Sequence, residues 1–194
     1  MSPDELKAKL EPWLAGVSRA ESVSIIDMEK LSGGAIQENW FVNAGFSSGP
    51  ATGIQKLVIR TDAPASVSTS HSRSQEFILL QQAFKAGVRV PEPLWCCDDL
   101  EVLGRSFFVM RRVAGVAAGF KITKDSSLGG DRRQLLKNLG RELARIHTIT
   151  PPNDALSFLS VPDVDPAARD IAQYRRYLDE FNTPRPILEW GLSW

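Results

Sequence analysis

The spacing of hydrophobic and polar positions changes along this chain. Up to about residue 60, short apolar runs alternate with polar residues and are interrupted by glycine, which is typical of strands joined by hairpins. Two later apolar runs, one on either side of a polar turn, add two more strands. The pattern therefore predicts an antiparallel sheet of about five strands. The expected strands are residues 22–30, 40–42, 54–60, 94–97 and 106–110.

Helical spacing is found in four segments. A helix after the third strand carries Phe77, Leu80 and Phe84 on one stripe, and it is the one main helix expected beside the sheet. The clearest pattern lies farther along, where Asp131 can cap a helix whose leucines recur every three or four positions. Together with the sheet, these helices predict an α+β fold. The expected helices are residues 3–15, 74–87, 131–148 and 166–181.

The composition shifts after residue 115, which indicates a division into lobes. The segment 121–130 is polar and contains glycine, as expected of a boundary. Trp190 and Trp194 stand among the last residues, although aromatic side chains are normally buried, so we expect the helical lobe to be incomplete. The expected parts are an N-terminal helix (1–19), a sheet-containing N-lobe (20–115), a linker (116–130) and the start of a helical lobe (131–194).

Charge and cysteine content exclude several classes of function. The 23 lysines and arginines balance 23 aspartates and glutamates, so no basic field indicates a nucleic-acid partner. No apolar run approaches the ~20 residues that cross a bilayer, so we expect no membrane partner. Cys96 and Cys97 are adjacent and would point to opposite faces of a strand, so we expect free thiols, which favour the reducing cytoplasm.

Two adjacent glycines stand between the first two predicted strands. Gly33 and Gly34 lack a Cβ, so their main-chain N–H groups can approach a phosphate closely. Ser32, Gln37 and Asn39 can add side-chain donors. A glycine pair between strands is also compatible with a plain hairpin turn.

A cation and an acid occupy matching places in the third strand and the following helix. Arg60 ends the apolar run of its strand, where a guanidinium can neutralise phosphate charge. Glu76 flanks the apolar stripe of the helix and is expected to point toward the sheet, where it would pair with Arg60 and fix its direction. Each residue taken alone is equally compatible with a solvated surface charge.

The segment after the fifth strand offers main-chain groups to a base. Met110, Arg111 and Val113 lie in this connector, whose N–H and C=O groups can bond to an adenine edge while apolar neighbours cover its ring. Any linker between two lobes offers such groups, so a plain connector remains the alternative.

These motifs follow one another in a familiar order. The chain resembles the N-terminal part of the aminoglycoside phosphotransferase family, which are small-molecule kinases with a protein-kinase-like fold, and especially the branch found in acyl-CoA dehydrogenase-like proteins. The matching stretches are Leu31-Ser-Gly-Gly, Leu57-Val-Ile-Arg60, Gln75-Glu76, Gly87-Val-Arg-Val-Pro-Glu-Pro93, Leu103-Gly-Arg-Ser-Phe-Phe-Val-Met110, Val113-Ala-Gly115, Leu143-Ala-Arg-Ile-His147 and Pro186-Ile-Leu-Glu189.

The resemblance implies a nucleotide site. Gly33 and Gly34 would cover the phosphates, Arg60 would replace the usual strand lysine with Glu76 as its partner, and residues 110–113 would hold adenine. The nucleotide is expected to be ATP, with GTP possible, and Mg²⁺ is expected in the complete protein. The acceptor would be a hydroxyl group of a small molecule whose identity the resemblance does not specify.

The family's catalytic loop has no counterpart in this chain. Neither His71 nor His147 is followed by Gly-Asp or Arg-Asp, so we expect a chain that binds ATP and is inactive alone. Asp163, Asp165 and Asp170 are interpreted as turn and cap residues. Two alternatives remain at this point: a non-catalytic nucleotide-binding or regulatory module, and an interaction domain that binds no nucleotide.

Overall fold

The computed structural model describes residues 3–31, 37–62, 71–116, 118–161, 165–181 and 183–193. The chain forms two compact units, Met1–Leu156 and Ser157–Trp194. The first unit holds the sheet and its covering helices, and the second holds two helices. The lobe boundaries expected from the sequence stay a prediction.

A five-stranded antiparallel sheet forms the centre of the first unit. Its strands run in the order β1-β2-β3-β5-β4, so β3 has hydrogen-bonded neighbours on both sides. The sheet and the α+β class agree with the expectation from the sequence. The strands are β1 (Val23–Lys30), β2 (Gln37–Phe46), β3 (Gly53–Asp62), β4 (Pro93–Cys97) and β5 (Phe107–Arg111).

β2 is longer than the sequence pattern predicts. The pattern predicts a strand over residues 40–42 only, but Gly45, farther along the chain, pairs with both Ser24 and Ile54. The expectation was wrong because pairing on both sides of β2 holds this glycine in extended conformation, against its weak intrinsic preference for strands.

One face of the sheet packs against helix α1 (Pro3–Ser18). Leu10 and Leu14 are fully buried there, among apolar side chains that alternate along the strands, such as Val42 and Leu57. A single-turn helix, α3 (Leu100–Leu103), closes the same cluster with Leu103. This face therefore holds the main hydrophobic core.

The opposite face packs against helix α2 (Arg73–Lys85). Ser72 and Gln75 form a capping box that fixes where the helix begins. Phe77 packs on Phe108 with ring centroids 5.9 Å apart. Phe84 was expected on the same buried stripe but is 45% exposed, because the small cluster on this face contacts only the earlier turns of the helix.

Three short helices were missed by the sequence pattern. They are α3, α4 (Gly119–Lys124) and α7 (Pro186–Leu192), which span four to seven residues and so show too few repeats for a helical period. Two longer helices, α5 (Arg132–Ile146) and α6 (Pro166–Asp179), lie within the predicted segments. Asp131 caps α5, as expected, by accepting the N–H of Arg133 at 2.9 Å.

The apolar stripe of α5 faces outward in the first unit. Leu136, Leu139 and Leu143 are all more than half exposed, and none of the residues of α5 is buried.

Over the residues that the structure describes, no helix combines the length and the apolar content that crossing a bilayer requires.

Candidate functional site

The centre of the site is an ion pair on the α2 face of the sheet. Arg60 follows Val58 by two residues on β3, so both side chains lie on that face. Its Nε is 3.2 Å from Oε2 of Glu76, in the first turn of α2, and the two side chains are 28% and 22% exposed. The pairing that the sequence predicts between strand and helix is therefore present.

This pair is close but imperfectly aligned. Arg60 Nε is buried, and the geometry of its N–H toward Glu76 does not make a hydrogen bond. A buried guanidinium N–H without an acceptor is costly, so the contact of Arg60 Nε with Glu76 is one of charge and not a hydrogen bond.

Gln37 joins the two charged side chains. Its Nε2 donates to Glu76 Oε1 at 2.8 Å, and its Oε1 accepts a hydrogen bond from Arg60 Nη2. The sequence suggests Gln37 only as one more donor for a phosphate. In the structure its amide instead bridges Arg60 and Glu76.

Arg73 is a member of the site that the sequence reasoning missed. Its side chain is 1% exposed, with Nη1 2.7 Å from Glu76 Oε2 and Nε 3.0 Å from Asp62 Oδ1. Its Nη2 also donates to the carbonyl of His71 at 3.1 Å. The available signal was its position three residues before Glu76, which places both on one helix face. We call Gln37, Arg60, Asp62, Arg73 and Glu76 the ion-pair cluster.

The electrostatics of the cluster disfavour the charge on Arg60. Burial lowers the pKa of Arg60 below its ordinary value, Glu76 opposes that change, and the neighbouring Arg73 cation adds to it. An arginine stays protonated all the same. The arrangement therefore holds a charged, half-desolvated guanidinium that an additional anion would stabilise.

An apolar patch lies next to Arg60 on the same face. Val58 stands opposite Phe41 on β2 and opposite Met110 on β5, and these three side chains form the patch. The guanidinium of Arg112 lies 3.9 Å from the centre of the Phe41 ring. Val58 and Met110 are nearly buried, at 7% and 8% exposure, so a flat aromatic group would meet this patch mainly at Phe41, beside Arg112.

The other predicted residues occupy different positions. Asn39 is the cross-strand partner of Arg60, so its side chain is on the same face. Arg111 pairs with Leu57 of the α1 face, and its side chain bonds to Glu92 at 2.6 Å and to Gln55 at 2.8 Å, away from Arg60. Only the main chain of Arg111 could then meet a ligand on the α2 face.

The connector begins directly after β5. The N–H of Arg112 donates to the carbonyl of Lys56, so β5 and β3 remain joined there. Val113 follows and is 65% exposed. Ser32, Gly33 and Gly34 lie outside the described residues, and their predicted role with phosphates stays a prediction.

Of the carboxylates farther along the chain, Asp170 was expected in a turn or cap but lies inside α6, where it pairs with Arg169. Asp165 caps α6 by accepting the N–H of Ala167 at 2.8 Å, as the sequence predicts, and Asp163 lies outside the described residues. His147 is the C-cap residue of α5. Within the described ranges, no three side chains of histidine, cysteine, aspartate or glutamate come together as metal ligands would.

Curated relatives share part of this chain. Acyl-CoA dehydrogenase family member 11 of Pongo abelii is 26% identical over 149 residues, which are 74% of this chain and 17% of that protein. The Gallus gallus protein of the same name is 35% identical over 82 residues, which are 41% of this chain and 10% of that protein. The chain thus spans less than a fifth of the length of these relatives.

A solved structure shares the fold. A "putative aminoglycoside phosphotransferase" from Ralstonia eutropha matches with a TM-score of 0.68 at 20% identity, over 96% of this chain and 51% of that chain. This likeness confirms the expected kinase-like fold. The model of the family described as "Phosphotransferase enzyme family" matches residues 27–192. Because that match covers most of the sequence, the chain belongs to this phosphotransferase family.

Proposed function

We propose that this chain is the ATP-binding portion of a kinase that transfers the γ-phosphate of ATP to a hydroxyl group of a small molecule. The observation that carries the proposal is the juxtaposition of the Arg60–Glu76 pair with the apolar patch on one face of the sheet. Membership of the phosphotransferase family supports the reaction class.

The ion-pair cluster suits the phosphates. Arg60 offers a planar guanidinium that is fixed from one side by Glu76 and is still partly open to solvent. Arginine binds phosphate oxygens through charge-assisted hydrogen bonds, which are about twice as strong as neutral ones. Asn39, on the same face, can add an amide donor.

The apolar patch suits the base. Phe41 and Met110 flank Val58, and because Val58 and Met110 are nearly buried, a purine ring would contact the patch mainly at Phe41. The exposed connector at Val113 offers main-chain groups to the ring edge. ATP is the proposed nucleotide. GTP is the competitor to include, because main-chain groups can pair with either purine edge.

The described residues do not by themselves fit a magnesium site. Mg²⁺ is bound through carboxylates and substrate phosphates, and the acidic side chains of the ion-pair cluster, Asp62 and Glu76, already pair with arginines. If Mg²⁺ accompanies the nucleotide, the nucleotide phosphates and groups outside the described residues would have to hold it.

We further propose that the 194-residue chain alone does not turn over ATP. A kinase needs a base that positions the acceptor hydroxyl, and neither histidine begins such a loop. His147 caps α5 instead. Substrate-dependent ATP hydrolysis or transfer by the purified chain, assayed with a panel of sugars and amino alcohols, would overturn this part.

Nucleotide binding is tested by calorimetric titration of the purified chain with Mg-ATP, Mg-GTP and adenosine. The Arg60→Met variant should bind Mg-ATP roughly tenfold or more weakly while its adenosine affinity stays unchanged, because only the phosphate contact is removed. Arg89→Met is the matched control, since Arg89 is exposed and pairs with Glu142 on α5. Equal ATP affinity in wild type and Arg60→Met would contradict the proposed phosphate site.

A second candidate is a nucleotide-binding module that works without catalysis. The observation that favours it is that His147 and Asp165 serve as helix caps and are not gathered into a catalytic site. It predicts the same ATP affinity but no turnover in any longer form of the protein. We also propose a cytoplasmic location, which the two free cysteines support.

A further inference from the structure

We propose that Arg73 is a positioning residue that holds Glu76 away from full pairing with Arg60 and so keeps the Arg60 guanidinium available to the nucleotide phosphates. This inference rests on the proposed function. It assigns a role to a buried arginine that neither the sequence motifs nor the family likeness singles out.

The two arginines compete for one carboxylate oxygen. Arg73 Nη1 lies 2.7 Å from Glu76 Oε2 and makes a hydrogen bond, whereas Arg60 Nε lies 3.2 Å from the same oxygen without an aligned N–H. Because the shorter bond belongs to Arg73, Glu76 directs Arg60 and neutralises it only in part.

The side chain of Arg73 is held by several partners, whereas that of Arg60 is partly exposed to solvent. Besides its hydrogen bond to Glu76, Arg73 donates to the carbonyl of His71 at 3.1 Å, and its Nε lies 3.0 Å from Asp62 in an ion pair without a hydrogen bond; its side chain is almost completely buried. Arg60 is more than a quarter exposed and has the neutral Gln37 amide as its other partner. A phosphate oxygen can replace a neutral amide oxygen with a stronger, charge-assisted bond.

The neighbouring charge also favours an anion. Arg73 disfavours the positive charge on Arg60, and it lowers the pKa of that residue in the same direction as burial does. A phosphate that approaches Arg60 relieves this repulsion. Arg73 thus contributes in two ways. It fixes the geometry of Glu76, and it makes the binding of an anion at Arg60 more favourable in free energy.

Two variants separate geometry from charge. Arg73→Lys keeps the positive charge but loses the planar fork that spans Glu76 and Asp62. Asp62→Asn removes a negative charge beside the site, at a side chain that is 41% exposed and so tolerates the change. If only charge mattered, Arg73→Lys would leave ATP affinity unchanged and Asp62→Asn would increase it.

The experiment measures dissociation constants of Mg-ATP, inorganic tripolyphosphate and adenosine by calorimetry. If Arg73 positions the site, Arg73→Lys should weaken ATP and tripolyphosphate roughly fivefold to tenfold, and Asp62→Asn should weaken them roughly threefold, with adenosine unchanged. Arg89→Lys is the control and should behave as wild type. Circular dichroism checks the fold of each variant. If Arg73→Lys does not fold, the dissociation constants of Asp62→Asn test the positioning role.

The outcomes distinguish this inference from the proposed function. If wild type binds neither ATP nor tripolyphosphate, both are overturned. If wild type binds both ligands but Arg73→Lys binds them equally well, or Asp62→Asn binds them more tightly, only the positioning role is overturned. The Arg60 Nε–Hε resonance is a second readout, since tripolyphosphate should shift it in wild type and shift it less in Arg73→Lys.

Discussion

Helices α2 and α5 have similar lengths but opposite surroundings. α5 has the more regular apolar stripe, yet Leu139 in its middle is 59% exposed. α2 has a poorer apolar pattern, yet it buries Phe77 and even the charged Arg73. The comparison shows that periodicity predicts that a segment is helical, whereas burial depends on what packs against it.

The two helices also differ in how exposed the ion pairs of their carboxylates are. Glu76 on α2 and Glu142 on α5 each form ion pairs with two arginines. Around Glu76 the arginines are partly or wholly buried, while around Glu142 both remain substantially exposed. Only the first arrangement leaves a desolvated cation that can gain from binding an anion.

Replacing apolar residues should give the largest contrast between the two regions. Phe108→Ala, beneath α2, should cost about 3–5 kcal/mol of unfolding free energy because it opens a cavity beside Phe77. Leu139→Ala on α5 should change it by no more than about 0.5 kcal/mol. Urea denaturation of both variants checks this. Equal losses would show that the stripe of α5 is covered in solution.

Removing one carboxylate charge should give the next largest effect. Glu76→Gln should cost about 2 kcal/mol, because it leaves the buried Arg73 with Asp62 as its remaining ion-pair partner. Glu142→Gln is the matched change on α5 and should have a clearly smaller effect, since exposed ion pairs stabilise little. The measurement is again unfolding in urea, and an equal loss would contradict the comparison.

Thiol reactivity should report how well α2 covers its face of the sheet. Burial, with a contribution from Asp98, raises the pKa of Cys96 to about 11, and Cys96 packs against the cluster beneath α2. Alkylation of the native protein at pH 8 should therefore be at least about tenfold slower than that of an unfolded control. Phe108→Ala should accelerate it, whereas Leu139→Ala should not.

The smallest expected effect is a pH dependence at α5. The N–H of Arg89 and the charge of Arg145 lower the pKa of Glu142 below its ordinary value. A depressed carboxylate pKa adds stability above the unfolded pKa of about 4.5, and this is lost as pH falls through the folded pKa. The melting temperatures of wild type and Glu142→Gln should thus differ near neutral pH and converge as pH falls through the lowered pKa of Glu142. A constant difference would contradict this assignment.

The sequence allowed the sheet and the central pair to be predicted. Alternation and apolar runs located all five strands, although β2 is longer than expected, and the position of Glu76 beside an apolar stripe was sufficient to aim it at Arg60. These features depend on local spacing and on chain order, which a sequence displays directly.

Other features depend on packing that local spacing does not encode. Arg73 was missed because a surface arginine and a buried one look alike until Asp62, eleven residues earlier, is brought beside it. Phe84 lies on the predicted apolar stripe but is 45% exposed, because the extent of the cluster under α2 is set by the sheet and not by the helix. Gln37 was identified only as a donor, since its bridging role needs three segments to meet.

The central position of β3 has one more consequence. Arg60 lies two residue steps after Val58 on a strand that is held on both sides, which corresponds to about 6.7 Å along the strand axis. The strand backbone thus fixes the distance between the apolar patch and the guanidinium of Arg60. A ligand of the proposed site would be selected by the length of the spacer between its ring and its anionic group. Replacing neighbouring side chains would leave the distance along the strand unchanged.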